Sequence, residues 1–463
     1  MNATTTATQP KAIPVHKGLP ILGNVLHFRR DTVDAIESAW KQHGDLVNIN
    51  VGPRWLLLAS HPQLAQDILI EQKHIFRRPN LINAGTALTP LLGQSVLTTD
   101  GDSWLLKRRM MQPIFHRQRI QHMGDKMSDA GQSMLARWDA KPAGAVVNFN
   151  EEMKLVTLDI INRTMFSTNV LPEVEKIGHT IDISLQWLTK NAQTLIRIPE
   201  RIPTPGNQRF VQARSTLDGY LYKLITERRN PPPSDGGGGN DLLDMLLEAR
   251  DEDTGEGMND EQVRNEVITI YGAGHETTAV ALTWAWYALN QNPDVLKKLQ
   301  AEVDSALQGR TPSMADLPNL PYTLQVFEET MRLFPPVPLS VRMAYEPTQL
   351  DGHAVPKNQL VAIGIHNMHR HPDFWEQPEA FMPERFAPEN KAKLNRMAYL
   401  PFFTGPHLCI GNNFALMEGQ LLLAMMAQRY EVRVVPNQVV EREVAITMRP
   451  KHGLKVTLNR RTG

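Results

Sequence analysis

Phe402-Phe403-Thr404-Gly405-Pro406-His407-Leu408-Cys409-Ile410-Gly411 contains the single cysteine of a 463-residue chain. A lone thiol forms no internal disulfide, and one cysteine builds neither a zinc nor an iron–sulfur site. The glycines four residues before Cys409 and two after it let the backbone bend and pass close to something flat or bulky. Two readings of the loop stand at this point. A thiolate presented from such a bend is one of the standard axial ligands of haem iron. A free thiol is more often a small buried hydrophobe. The rest of the chain decides between them.

Working outward, the next informative stretch is Gly272-Ala273-Gly274-His275-Glu276-Thr277-Thr278-Ala279. It lies in the middle of a helix expected from about Asn259 to Asn290, whose later half, Ala279 to Leu289, is apolar on every face and so belongs in a core. Each mid-helix glycine costs about 1 kcal/mol against alanine. Close approach of a ligand face accounts for that cost, as does a local widening of the helix. Plain packing of two helices at small residues accounts for it equally. Glu276 and Thr277 side by side can relay protons to oxygen.

Glu329 and Arg332 sit at i, i+3 on a helix that must stop before Pro335-Pro336, so an ion pair is expected. Arg385 in Pro383-Glu384-Arg385-Phe386 can extend that pair to a triad, although the spacing does not show the contact. Trp104 and Arg108, at i, i+4, are donors suited to a carboxylate. A basic amphipathic helix is the commoner reading of that stretch.

Composition narrows the class. Basic and acidic residues balance at 49 each, which argues against nucleic acid as the main partner. The hydrophobic fraction of 41% fits a globular core. No apolar run near the start approaches the roughly 18 residues of a spanning helix, and no signal peptide is visible. A chain without a membrane anchor, placed in the bacterial cytoplasm, is expected. Pro14 to Asn24 reads as a rigid entry segment, Asp45 to Ala59 as a hairpin, and His61 to Arg229 as mostly helical. Pro231 to Gly239 is the one strong linker signal and reads as a flexible loop at about 230–240. A last helix is expected from Asn412 to Tyr430, followed by strand-like alternation from Glu431 to Leu458. The expected class is mainly α with a small segregated β portion: a disordered start over 1–13 and one catalytic domain over 14–463.

These motifs, in this order and at these separations, resemble the cytochrome P-450 superfamily from about Pro14 to Leu458. The closing Met448-Arg449-Pro450-Lys451-His452-Gly453 matches as well. Each motif alone is weak to moderate; the ordered set is specific. The resemblance implies the cytochrome P-450 fold, with haem b between the long central helix and the cysteine loop and Cys409 as its thiolate ligand. Phe402, Gly405 and Gly411 would shape the loop against the haem. Trp104, Arg108, Arg342 and His407 would donate to its propionates. Ala273, Gly274, Glu276 and Thr277 would form the oxygen-activating segment, and Glu329, Arg332 and Arg385 the structural triad. One position departs from the family: His407 stands where arginine is usual, and histidine is not permanently charged at neutral pH.

The implied activity is that of a haem-thiolate monooxygenase, inserting one atom of O₂ into a hydrophobic organic substrate by hydroxylation or epoxidation. The acid–alcohol pair Glu276-Thr277 favours that over a peroxygenase or isomerase, and over a haem-binding sensor without turnover. Apolar pocket segments are expected at Leu81 to Leu97, Ile181 to Pro205, Val337 to Val341 and Ala445 to Met448. Fatty acid, terpenoid, steroid and xenobiotic substrates all stay open, with a lean toward fatty acids from Asn412-Asn413-Phe414-Ala415-Leu416-Met417-Glu418. No fused reductase is expected, so electrons would come from a ferredoxin or flavodoxin with its NAD(P)H reductase. The basic run Lys107, Arg108, Arg109, His116, Arg117 and Arg119 is the expected docking face.

Overall fold

The computed structural model describes residues 12–79, 88–167, 171–193, 198–230 and 241–461. The Thr/Ala-rich start before residue 12, the Pro231–Gly239 run, and residues 81–87 and 194–197 of two expected pocket segments lie outside the described residues. The chain groups into two compact units: residues 1–79, 337–380 and 393–409, and residues 80–336, 381–392 and 410–463.

In the first unit the expected hairpin forms from strands Leu46–Val51 and Arg54–Ala59, in register from Leu46 opposite Ala59 to Val51 opposite Arg54. It lies inside a mixed six-stranded sheet whose order is Val15–His16, Leu46–Val51, Arg54–Ala59, Leu360–Ile363, Ser340–Ala344, Phe76–Arg77. Alternation sorts its side chains to two faces. Leu57, Ala59, Val361 and Ile363 join one apolar cluster. Leu58 and Ala362 join another with Val47 and Ile49. A sheet buried on both faces is a firm base for the segment 393–409 that ends in Cys409. Leu400 and Phe403 of that segment pack into the first cluster, and the Leu400 amide donates to His369 Nε2 at 2.8 Å.

The second unit is mainly helical. Its long helix runs Asp260–Gln291, 32 residues or roughly 48 Å. A capping box starts it: Asn259 Oδ1 accepts the Gln262 amide and Gln262 Oε1 accepts the Asn259 amide, each at 2.9 Å. Asp260 and Glu261 in the first turn suit the positive end of the helix dipole. Pro293, which opens the next helix, marks the stop. Helices Phe149–Phe166, Pro321–Leu333 and Asn412–Arg429 pack on the long helix and bury its later half. The strands Tyr430–Val434, Lys455–Arg460 and Ala145–Asn148 form an antiparallel sheet, and Arg442–Val444 pairs with Met448–Pro450 as a hairpin. That hairpin is tied to the long helix by Trp284 Nε1, which donates to the Met448 carbonyl at 2.8 Å. Of the alternatives for its glycines, the widened turn does not form: the long helix is α throughout. Among the described residues, a π-turn lies instead at Asp67–Glu71 in the first unit.

Candidate active site

The cysteine loop is held by its own backbone. Cys409 N–H donates to the Phe402 carbonyl at 2.9 Å, and Leu408 N–H to the Gly405 carbonyl at 3.1 Å, closing the turn Gly405–His407. Gly405 has φ +71°, and a Cβ there would stand 2.5 Å from the Leu69 carbonyl oxygen of the π-turn. Only glycine meets both conditions. Phe402, His407 and Cys409 are all half-buried.

The final helix, Asn412–Arg429, begins three residues after Cys409. Its positive N-terminal end favours a thiolate nearby. From Glu418 to Ala427 this helix is buried, whereas Ile410 to Met417, including Phe414 and Leu416, is only half-buried. A side chain built at Gly411 would meet no atom within 4 Å. The helix therefore leaves an apolar flank at Phe414 and Leu416 and open space at Gly411, which fits a flat apolar group against that flank.

The long helix shows the same feature in its middle. Ala273 is exposed and Gly272 and Thr277 half-buried, in a helix otherwise buried along most of its length. A side chain at Gly272 would meet nothing within 4 Å, while one at Gly274 would press on Ile161 Cδ1 at 2.9 Å. The two glycines thus have different causes: one borders space and the other lets the Phe149–Phe166 helix approach. Thr277 Oγ1 donates to the Ala273 carbonyl at 2.7 Å, which aims the hydroxyl at the exposed step.

Glu276 turns elsewhere. Its carboxylate accepts the Thr447 hydroxyl at 3.0 Å and lies 3.7 Å from Arg449 Nη1. Next after that half-buried run on the final helix, Glu418 is fully buried and burial pushes its carboxyl up to about 8. Neither of its oxygens has a partner of normal hydrogen-bond geometry among the described residues, although the Thr278 hydroxyl is close enough to favour the charged form slightly. Thr447 falls in an expected pocket segment, Arg449 in the closing motif and Glu418 in the stretch after the cysteine, but the sequence gives no sign of the contacts with Glu276 or of the burial of Glu418.

The remaining candidates are placed as follows. Glu329 and Arg332, both fully buried, form a bidentate pair: Arg332 Nε and Nη2 donate to Glu329 at 2.7 and 2.8 Å. Arg385 Nε lies 3.4 Å from Glu329 Oε1, and the Met382 amide donates to the same oxygen at 2.8 Å. The three side chains assemble, and removing one partner of the buried pair is expected to cost about 3–5 kcal/mol. Trp104 is buried and Arg108 half-buried on helix Gly101–Met111, where Arg108 Nε donates to Gln112 Oε1 at 3.4 Å. Arg342, on strand Ser340–Ala344 of the first unit, donates to Ser340 Oγ and the Val341 carbonyl, both at 3.0 Å. A cavity of about 350 Å³ beside Leu106, Met110, Met258 and Gln262 is lined by none of these candidates.

A family model described as Cytochrome P450 matches residues 13–457. The chain belongs to the cytochrome P450 family. Cyclooctatin synthase of Streptomyces melanosporofaciens is 34% identical over 90% of this cytochrome P450 and 89% of the relative. Cyclooctat-9-en-7-ol 5-monooxygenase of the same organism is 32% identical over 93% and 90%. The crystal structure of the cytochrome P450DA heme domain superposes with a TM-score of 0.88 at 25% identity, covering 98% of each chain. The protein is a cytochrome P450 monooxygenase of that fold. The family implies a haem-thiolate cofactor, an organic substrate, O₂ and a redox partner.

The expected docking run needs a correction. Lys107 is buried, on the same helix face as Trp104 and Met111, and its ammonium donates to Ser103 Oγ at 2.8 Å. Burial lowers its pKa, against the raising effect of Glu266. Arg109 is held by Asp251 and Asp253 at 2.8 and 2.5 Å. His116, Arg117 and Arg119 are exposed.

Proposed function

We propose that this cytochrome P450 binds haem b through the Cys409 thiolate and hydroxylates or epoxidises a largely hydrocarbon substrate, with residues 14–463 acting as one catalytic domain. When bound, the haem supplies the redox chemistry of O₂ activation. The chain's residues do the rest. Trp104, Arg108, Arg342 and His407 donate to the propionates. Phe402, Gly405 and Gly411 shape the loop, and Ala273 sets how closely the long helix approaches, while Gly274 lets the helix Phe149–Phe166 pack against the long helix. Thr277 delivers protons at its hydroxyl, and Glu276 supplies them from the Thr447 side. Glu329, Arg332 and Arg385 form the structural triad, which stiffens the second unit.

The observation that carries this reading is the exposed step at Ala273–Thr277 in an otherwise buried helix, with a hydroxyl turned onto it. It offers room for O₂ and a proton donor where the helix would otherwise be sealed. The half-buried Leu88, Val96, Ile270, Ile410 and Ile446 give the second unit an apolar lining. That suits substrates with few polar groups, such as the one in the name of a relative, cyclooctat-9-en-7-ol 5-monooxygenase. The Streptomyces relatives support a bacterial cytoplasmic protein served by a ferredoxin or flavodoxin and its NAD(P)H reductase.

Cys409→Ser tests the ligand. A serine hydroxyl is far less acidic than a thiol, so the reduced carbon monoxide adduct should lose the strongly red-shifted band of thiolate haem. If the variant keeps that band, another residue ligates the iron and the assignment falls.

A further inference from the structure

Three consecutive side chains of the long helix hold one loop. Arg264 Nη1 donates to the Leu91 carbonyl at 2.6 Å and to Asn265 Oδ1 at 2.9 Å, while its Nε donates to Asp218 on helix Pro205–Arg229 at 2.8 Å. Asn265 lies against Gly93, where φ is +54° and a Cβ would stand 2.5 Å from the Asn265 amide. Glu266 accepts the Val96 N–H with both carboxylate oxygens, each at 3.0 Å. The loop is also bonded within itself. Thr98 Oγ1 donates to the Gly93 carbonyl at 2.7 Å, the Ser95 amide donates to Thr98 Oγ1 at 2.8 Å, and Thr99 Oγ1 donates to the Ser95 carbonyl at 2.7 Å. Residues 93–99 are therefore one stiff piece, pinned where Glu266 meets Val96.

Glu266 is an expensive pin. It is fully buried, and the charged group that faces it is Lys107 on helix Gly101–Met111. A buried carboxylate is tolerated when it satisfies a donor that would otherwise be stranded. What it holds is informative. Glu266, Ile270, Ala273 and Thr277 follow the i, i+4, i+7, i+11 spacing of one helix face. Val96 and Ile270 both pack against the same apolar cluster, and seven residues of helix put Glu266, which holds Val96, roughly 10 Å along the axis from Ala273. An apolar body extending up that face from the exposed step ends at Val96.

We propose that Glu266 is a positioning residue that fixes Val96 as the end wall of the substrate space, so that it selects substrates by length without touching them. This rests on the reading of Ala273–Thr277 as the oxygen side of the site. The test uses the haem-loaded protein and two iron-ligating probes, imidazole and 1-dodecylimidazole, titrated spectrally. Imidazole is too short to reach the wall. In Glu266→Ala, 1-dodecylimidazole should bind about tenfold more weakly, the low end for losing a hydrogen bond to a charged group, with imidazole unchanged. Hydrogen-exchange protection across 93–99 should fall with it. Glu266→Gln keeps one acceptor and should restore most of both.

Should Glu266→Ala not fold, Val96→Phe leaves the pin intact and should exclude the dodecyl probe alone. An unchanged ratio of the two affinities, in either variant that folds, overturns the proposal, as does unchanged protection at 93–99. Failure of the wild type to bind imidazole at the iron would instead count against the haem assignment itself.

Discussion

Glu276 and Thr277 are neighbours in sequence whose polar atoms part company in space. The Thr277 hydroxyl stays at the exposed step, bonded to the Ala273 carbonyl, while the Glu276 carboxylate leaves for Thr447. On the proposed reading, proton delivery to the step ends at Thr277. Thr277→Ala should leave haem binding and reduction intact and divert O₂ to peroxide. Product formed per nicotinamide consumed should fall by about tenfold, less than the full loss of a general acid because ordered water can substitute in part. An unchanged ratio would remove the hydroxyl from the relay. At this scale the sequence is legible where both partners lie within a few positions: Glu329 three before Arg332, Thr277 four after Ala273. It is silent where the partner is remote. Thr447 lies 171 residues from Glu276, and no local pattern joins them.

Elements were readable by existence more than by face. The capping residues and Pro293 bracket the long helix within a residue of its ends. The run from Lys107 to Arg119 was read as one basic surface because charge is normally solvated. Helical spacing overrides that habit: Trp104, Lys107 and Met111 share an inward face, leaving His116, Arg117 and Arg119 outside. The two classes of lysine and arginine should separate in experiment. Lys107→Glu puts a second carboxylate beside buried Glu266 and should lower the melting temperature whatever the salt. Arg117→Glu should leave stability and substrate affinity alone and slow the first electron transfer from an acidic ferredoxin, by roughly threefold to tenfold at low salt. That difference should shrink as ionic strength rises, since exposed charges are screened over about 8 Å at physiological salt. A slowed rate in neither salt regime would move the docking face elsewhere on the molecule.

For the whole molecule, the order of motifs along the chain was enough to read the family as a resemblance, because a lone cysteine loop, a glycine-interrupted long helix and a Glu-x-x-Arg pair follow one another as they do in that family. The placement of acids in the core was not readable, since burial is decided by helices far apart in the chain. Two such acids tie stability to pH. Burial pushes Glu266 up to about 7 and Glu418 up to about 8, from an ordinary 4.5. In both, the folded state holds its proton more tightly than the unfolded chain does. Their contribution to stability is thus fully present below about pH 4.5 and is lost as pH rises through 7 for Glu266 and through 8 for Glu418. Glutamine keeps the shape and never ionises. The double variant Glu266→Gln, Glu418→Gln should therefore gain on the wild type between pH 5 and pH 8, on the order of 5 °C in melting temperature. A constant difference across that range would mean that neither carboxyl is forced to ionise in the fold. If Glu418→Gln alone carries the gain, the Val96 amide is offsetting the cost of charge on Glu266, and the loop pin is ionised at neutral pH.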